Sequence, residues 1–239
     1  MKKKKLITTH PAIIAVWAAL IAVASLLPAF PLIGGTGGTF SLGNALTPLS
    51  GVLFGPFAGA IASAIGAFLG QLLAPNTVIL GPLQFILPAL AALFAGFAMQ
   101  KKWYLAFAMY VINMIAFLSL PVGREAYIFP LVVYTPPLIA ILFGWFVAKD
   151  WISSSNRAKM LVAVFCCALA GTHVDNGVGN VWATIMFGLP KEVFFSILAI
   201  APIERVLFAL GSAIIGTPLL VGLPKISIPV GPALEEEEE

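Results

Sequence analysis

The side chains with the most chemical capacity sit where the chain is otherwise apolar. Within the run from Met160 to Phe187 lies Gly171-Thr172-His173-Val174-Asp175-Asn176-Gly177-Val178-Gly179-Asn180-Val181-Trp182. A histidine, an aspartate and two asparagines at that depth cost several kcal/mol unless they are paired or face a wet cavity. Their presence points to a binding site or a polar pathway. On a helix Asp175 shares a face with Gly179, and Asn176 with Asn180, while His173 lies one turn before Asn176. His173, Asn176 and Asn180 therefore form one polar stripe, and Gly177 and Gly179 let a ligand or another backbone come close. A second interruption, Glu204-Arg205, lies in the next apolar run. The two side chains are about 100° apart on a helix and do not face each other. One is expected to face the pocket while the other pairs with Asp175 or with an outer residue. The alternative is packing alone, because buried Asp–Arg or Glu–His pairs can fix helix contacts without touching a ligand.

Other chemistries lack their parts. A metal site needs converging ligands, and the chain holds only His10 and His173, with Cys166 two turns from the latter. Cys166 and Cys167 are adjacent and read as small buried hydrophobes. No metal and no cofactor is expected. An intramembrane hydrolase could use His173 with Asp175 or Glu204. Yet no His-Glu-x-x-His, no Gly-x-Ser-x-Gly and no activated nucleophile accompanies them, so the chain is not read as an enzyme. The loop Gly34-Gly35-Thr36-Gly37-Gly38-Thr39-Phe40 has the glycine density of a phosphate cradle but no following Gly-Lys-Ser/Thr. It reads as a flexible gate or tight reentry.

The elements that position these residues are membrane helices. The 239 residues are 60% hydrophobic and 10% charged, against roughly 25% charged in a soluble domain; the mean hydropathy is +1.03. The fold class is all-α, a polytopic transmembrane bundle of about eight helical segments. They run from about Pro11 to Leu27, Leu42 to Phe54, Phe57 to Leu73, Pro82 to Met99, Trp103 to Leu120, Ile128 to Ala148 with a kink near Tyr134-Thr135-Pro136-Pro137, Met160 to Phe187, and Val193 to Val221. Lys2–Lys5 resemble the start of a signal peptide, but no clear cleavage site follows and the first helix reads as retained. Residues 1–232 read as one transmembrane domain, and 233–239 as an appended tag. With Lys2–Lys5 in the cytoplasm, alternation puts Lys101, Lys102, Lys149, Arg157, Lys159 and Lys225 inside, and Arg124 and Lys191 outside beside glutamates. Both termini are then cytoplasmic, in a multi-pass protein of the cell membrane. The net charge of +3 marks this orientation rather than nucleic-acid binding. The polar groups fall toward the outer face over an apolar inner half, a pocket open to the outside. A channel would need polar groups along the whole depth, and a stand-alone secondary transporter would show symmetric halves, which the sequence lacks.

Gly37-Gly38-Thr39-Phe40-Ser41-Leu42-Gly43-Asn44-Ala45-Leu46-Thr47-Pro48-Leu49, running into Gly51-Val52-Leu53-Phe54-Gly55-Pro56-Phe57-Ala58-Gly59-Ala60, resembles the substrate-binding S components of energy-coupling factor (ECF) vitamin transporters. The shared pattern is a short second helix, a Gly-Pro turn and a small-residue third helix. Ala15/Ala19 and Ala18/Ala22 are small-xxx-small pairs that permit close packing within the chain. They also resemble the family's face for docking a transmembrane coupling subunit. The resemblance is clearest over about residues 11–75 and implies a six-helix core, here with extra helices. It implies capture of a small, vitamin-like nutrient from outside, and docking on a coupling subunit driven by two ATPase subunits in the lipid bilayer, with no nucleic-acid partner. Nickel and cobalt members begin with Met-His, whereas this chain begins Met1-Lys2. His173, Asp175, Asn176, Asn180 and Trp182 would line the pocket, helped by Asn44, Gln84, Asn113, Tyr127, Glu204 or Arg205. Trp182 and Tyr127 would stack on a ring, the amides would orient it, and Arg205 or Arg124 would meet a ligand carboxylate or phosphate.

Overall fold

The computed structural model describes residues 9–31 and 39–236; Lys2–Lys5 and Gly34–Gly38 lie outside the described residues. Among the described residues, five helical segments are long and apolar enough to cross a membrane, and Pro11–Ala24 and Trp103–Ser119 are shorter apolar helices. The chain is therefore a multi-span membrane helical bundle. Helix α1 (Pro11–Ala24) leads into a small antiparallel hairpin, β1 (Pro28–Pro31) with β2 (Thr39–Ser41), then α2 (Gly43–Phe54), α3 (Pro56–Leu73), α4 (Ile86–Met99) and α5 (Trp103–Ser119). Two short helices, α6 (Pro121–Glu125) and α7 (Ile128–Val133), precede α8 (Thr135–Phe143) and α9 (Arg157–Phe187). The chain closes with α10 (Lys191–Ser196), α11 (Ile200–Gly222) and α12 (Ala233–Glu236).

Local chemistry sets the helix ends. His10 caps α1 by accepting from the Ala12 N–H at 3.2 Å, with Pro11 in the first turn. Asn156 caps α9 through Ala158 and Lys159, which starts the helix at Arg157 rather than Met160. Gly188 ends it in the left-handed region, at φ 59°. Gly55, at φ 79°, turns α2 into α3, and Pro56 opens the new helix. Pro48 inside α2 frees the Asn44 carbonyl, which accepts instead from the Thr47 hydroxyl at 3.3 Å.

Two of the expected helices are interrupted. The segment from Ile128 to Ala148 breaks at Tyr134 ahead of Pro136 and Pro137, then ends in a π-helical turn, Gly144–Ala148. The last expected helix is two, α10 and α11, separated at Ile197–Ala199. Pro202 supplies the reason: in a continuous helix its ring would meet the carbonyl of Leu198. The segment from Val230 to Leu234 also packs on the body. Gly231 N–H donates to the Leu53 carbonyl at 2.7 Å, and Val230 and Leu234 are buried.

Helix α9 is the centre of the bundle, packed by α4, α5, α8, α11 and α2. Lipid offers no hydrophobic drive for association, so close backbone approach carries the packing. A Cβ on Gly51 would lie 1.8 Å from the Ala92 carbonyl oxygen of α4, and one on Gly171 2.2 Å from that of Ala91. Between α2 and α3 the Ser50 and Ser63 hydroxyls meet at 2.6 Å, and Ser63 donates to the Thr47 carbonyl. Large apolar side chains such as Val16, Leu72, Ile115, Ile185 and Ile214 point outward, as a lipid-facing surface requires.

Candidate ligand pocket

All the walls of one cavity of about 450 Å³ meet at the same end of the bundle. It is bounded by the C-terminal turns of α3, the segment before α4, the C-terminal half of α9 and the N-terminal turns of α10 and α11. Lys101 and Lys102 follow α4, Lys149 precedes α9, Arg157 and Lys159 begin it, and Lys225 follows α11. The basic loops therefore lie at the end opposite the cavity.

Asn44 is one of two residues of α2 that are not buried, and it lines the cavity. Gln84 also lines it, but its amide is already engaged. Its Oε1 accepts from the N–H groups of Ile79 (2.7 Å) and Leu80 (2.8 Å), and its Nε2 donates to the Thr77 carbonyl at 2.9 Å. Gln84 thus braces the loop that closes one side of the cavity. Gln71, with its amide nitrogen toward Pro82 and its oxygen toward Phe85, ties α3 to the same wall.

From α9 come Asp175, Asn176 and Asn180, with Gly179 and Ala183 between them and Phe187 toward the helix end. Asn180 Nδ2 donates to Asn176 Oδ1, one turn away. Each amide keeps further hydrogen-bonding capacity for a ligand. From α11 come Glu204 and Arg205. Arg205 Nη1 lies 3.6 Å from Asp175 Oδ2, with side-chain exposures of 10% and 19%, so the pair bridges the two helices across the cavity wall. The guanidinium also lies over the Phe208 ring, 5.9 Å from its centroid. Outside the cavity lining, Lys191 Nζ contacts Glu125 Oε2 at 3.0 Å and joins α10 to α6. That hydrogen bond raises the lysine pKa above its ordinary value.

Four residues expected in the pocket are elsewhere, and packing explains His173 and Asn113. His173 is 1% exposed and does not line the cavity. Its ring is wedged between Tyr134, centroids 4.6 Å apart, and Tyr110, at 5.3 Å. It therefore does not share the cavity with Asp175 and Glu204. Asn113 is buried on α5, filling the space that Gly177 leaves: a Cβ there would meet its Nδ2 at 2.1 Å. Trp182 falls just past the edge of the α9 face that lines the cavity, and Tyr127 is 54% exposed outside it. Residues not foreseen on the wall include Ser25, Ser41, Gln71, Thr77 and Phe187. They sit at element ends, where helical periodicity gives no signal; the only hint was the polarity of Gln71 and Thr77 beside apolar runs.

The docking stripe also divides. Ala18 and Ala22 are buried, and a Cβ on Gly66 of α3 would meet the Ala18 carbonyl oxygen at 2.7 Å. Ala15 and Ala19 remain exposed on the adjoining strip of α1.

No solved structure matches the chain. An uncharacterised protein of Methanocaldococcus jannaschii is 24% identical over 162 residues, covering 68% of this chain and 54% of that protein. The chain thus spans about half the length of the curated relative it matches. Residues 5–126, just over half of the chain, match the family described as ECF-type riboflavin transporter, S component. The matched span contains the short buried α2, the Gly55-Pro56 turn and the α3–α4 side of the cavity wall. This chain belongs to the family of ECF-type riboflavin transporter S components.

Proposed function

We propose that this chain is the substrate-capture subunit of an ECF-type importer of the cell membrane, and that the cavity between α3, α9 and α11 is its nutrient pocket. The observation that carries the reading is the cavity's composition and place. Amide groups of Asn44, Asn176 and Asn180 meet apolar side chains such as Ile79, Leu87 and Phe187 within about 450 Å³. Such a mixed, concave site of this size is what small-ligand pockets have in common. Its position opposite the basic loops supports a mouth toward the outside and termini in the cytoplasm.

The ligand is a small ring-bearing nutrient of vitamin type. Riboflavin is the first to try, because the family carries that name. Apolar side chains would hold the ring, and the asparagines would fix its orientation. The exposed Ala15/Ala19 face of α1 would dock the coupling subunit, since Ala18 and Ala22 are consumed by α3. No Gly-x-x-x-x-Gly-Lys-Ser/Thr occurs in the sequence, so separate ATPase subunits would supply the energy.

Reconstitution tests the reading. Purified chain should bind a nutrient in lipid nanodiscs, yet proteoliposomes should accumulate it only when a coupling subunit and ATPases are added. ATP-independent accumulation by this chain alone would replace the capture subunit with a stand-alone transporter.

A further inference from the structure

Glu204 is 7% exposed and lines the cavity, yet its carboxylate makes no hydrogen bond and no ion pair among the described residues. The neighbouring Arg205 lends it charge but no ion-pair contact: its guanidinium reaches Asp175, at 3.6 Å. Among the described residues, three charged side chains border the cavity, Asp175, Glu204 and Arg205, and the other polar groups on its wall are amides and hydroxyls. The wall therefore carries one carboxylate in excess of its guanidinium. An unpaired carboxylate is expensive at this depth, and a cation bearing N–H donors relieves both its charge and its open lone pairs.

We infer that Glu204 is the recognition site for a positively charged, N–H-donating nitrogen group on the ligand, so that this pocket selects a cationic nitrogen heterocycle over neutral or anionic molecules. The inference rests on the capture reading and moves its ligand away from riboflavin, whose ring system is neutral at neutral pH. A planar amidine or aminoheterocycle presents two parallel N–H groups, the geometry that a carboxylate accepts best. The asparagine pair on α9 then meets the neutral polar edge of the same molecule. A ligand carboxylate or phosphate finds no uncommitted guanidinium, which departs from the expected role of Arg205.

A matched set of probes tests the charge directly. Benzamidine, benzamide and benzoate share one ring and differ in charge; each is titrated against the full chain in lipid nanodiscs by ligand-observed NMR, beside riboflavin. Benzamidine is expected to bind at least about tenfold more tightly than benzamide, and benzoate more weakly still. Glu204→Gln should bring benzamidine to the affinity of benzamide while the melting temperature stays near that of the wild type. The charge series on the wild-type chain stands even if the variant fails to fold. Equal or tighter binding of benzamide or benzoate, or less than a twofold effect of Glu204→Gln on benzamidine, overturns the inference. Riboflavin bound equally by both proteins, with no preference among the probes, overturns it while the capture reading stands. No binding of benzamidine also overturns the inference, whereas the capture reading falls only to ATP-independent accumulation by the chain alone.

Discussion

Breaking the Asp175–Arg205 bridge should reveal how far the cavity wall depends on one ion pair. The two groups are 3.6 Å apart, with side-chain exposures of 19% and 10%. At that separation their attraction is about 1 kcal/mol in water and about 5 kcal/mol at the effective dielectric of a protein surface. The cavity side is wet and the helix side is not, so the net coupling should fall between, at about 1–2 kcal/mol. Arg205→Met leaves Asp175 half-buried with no guanidinium, and should cost about 2–3 kcal/mol, at or below the lower end of the range for a broken buried pair. Asp175→Asn should cost about 1 kcal/mol, because Arg205 keeps its contact with Phe208. The double variant should recover most of the loss, because no unpaired charge from the bridge remains. Equilibrium unfolding of the four proteins in detergent micelles closes the cycle. A coupling below about 0.5 kcal/mol would show that the contact is incidental and that α9 and α11 are joined by packing alone.

Further predictions follow from the same contacts. Gly51→Ala places a methyl 1.8 Å from the Ala92 carbonyl oxygen; α2 and α4 must separate, and stability should fall by about 3 kcal/mol in the same unfolding assay. His173→Phe keeps a ring between Tyr110 and Tyr134 and removes two unpartnered nitrogens. It should leave ligand affinity within about twofold and should not lower the melting temperature, whereas a ligating or catalytic histidine would lose function. Gln84→Leu removes all three hydrogen bonds to the loop 77–80. It should weaken ligand binding about tenfold and raise amide exchange at Ile79 and Leu80.

The sequence was most legible where polarity broke hydrophobicity. Asp175, Asn176, Asn180, Glu204 and Arg205 stood out because each is costly in a membrane helix, and the structure brings all five to one cavity. His173 and Asn113 stood out for the same reason, but cost alone does not say which way a side chain points. His173 is turned into an aromatic clamp, and Asn113 into the gap above Gly177. Those orientations depend on neighbouring helices that periodicity cannot place. Helix existence followed from apolar runs of adequate length, and prolines explain the breaks. Pro136 and Pro137 were visible as a kink, whereas Pro202 sat inside a run long enough to pass as one helix. The division of the alanine stripe of α1 was hidden too, because either pair could meet α3 and only packing around Gly66 assigns it. Gln84 illustrates the remaining gap: its type suggested a ligand contact, while its bonds show a brace.

The central claim is that a small nutrient occupies the cavity bounded by α3, α9 and α11. The most direct measurement compares two tryptophan variants by native mass spectrometry after gentle purification. Ala183→Trp fills the cavity from α9, while Ile185→Trp, on a side chain 68% exposed, changes only the lipid-facing surface. Wild type and Ile185→Trp should carry a co-purifying small molecule, and Ala183→Trp should lose it. Equal occupancy of all three proteins would place the ligand elsewhere and contradict the account.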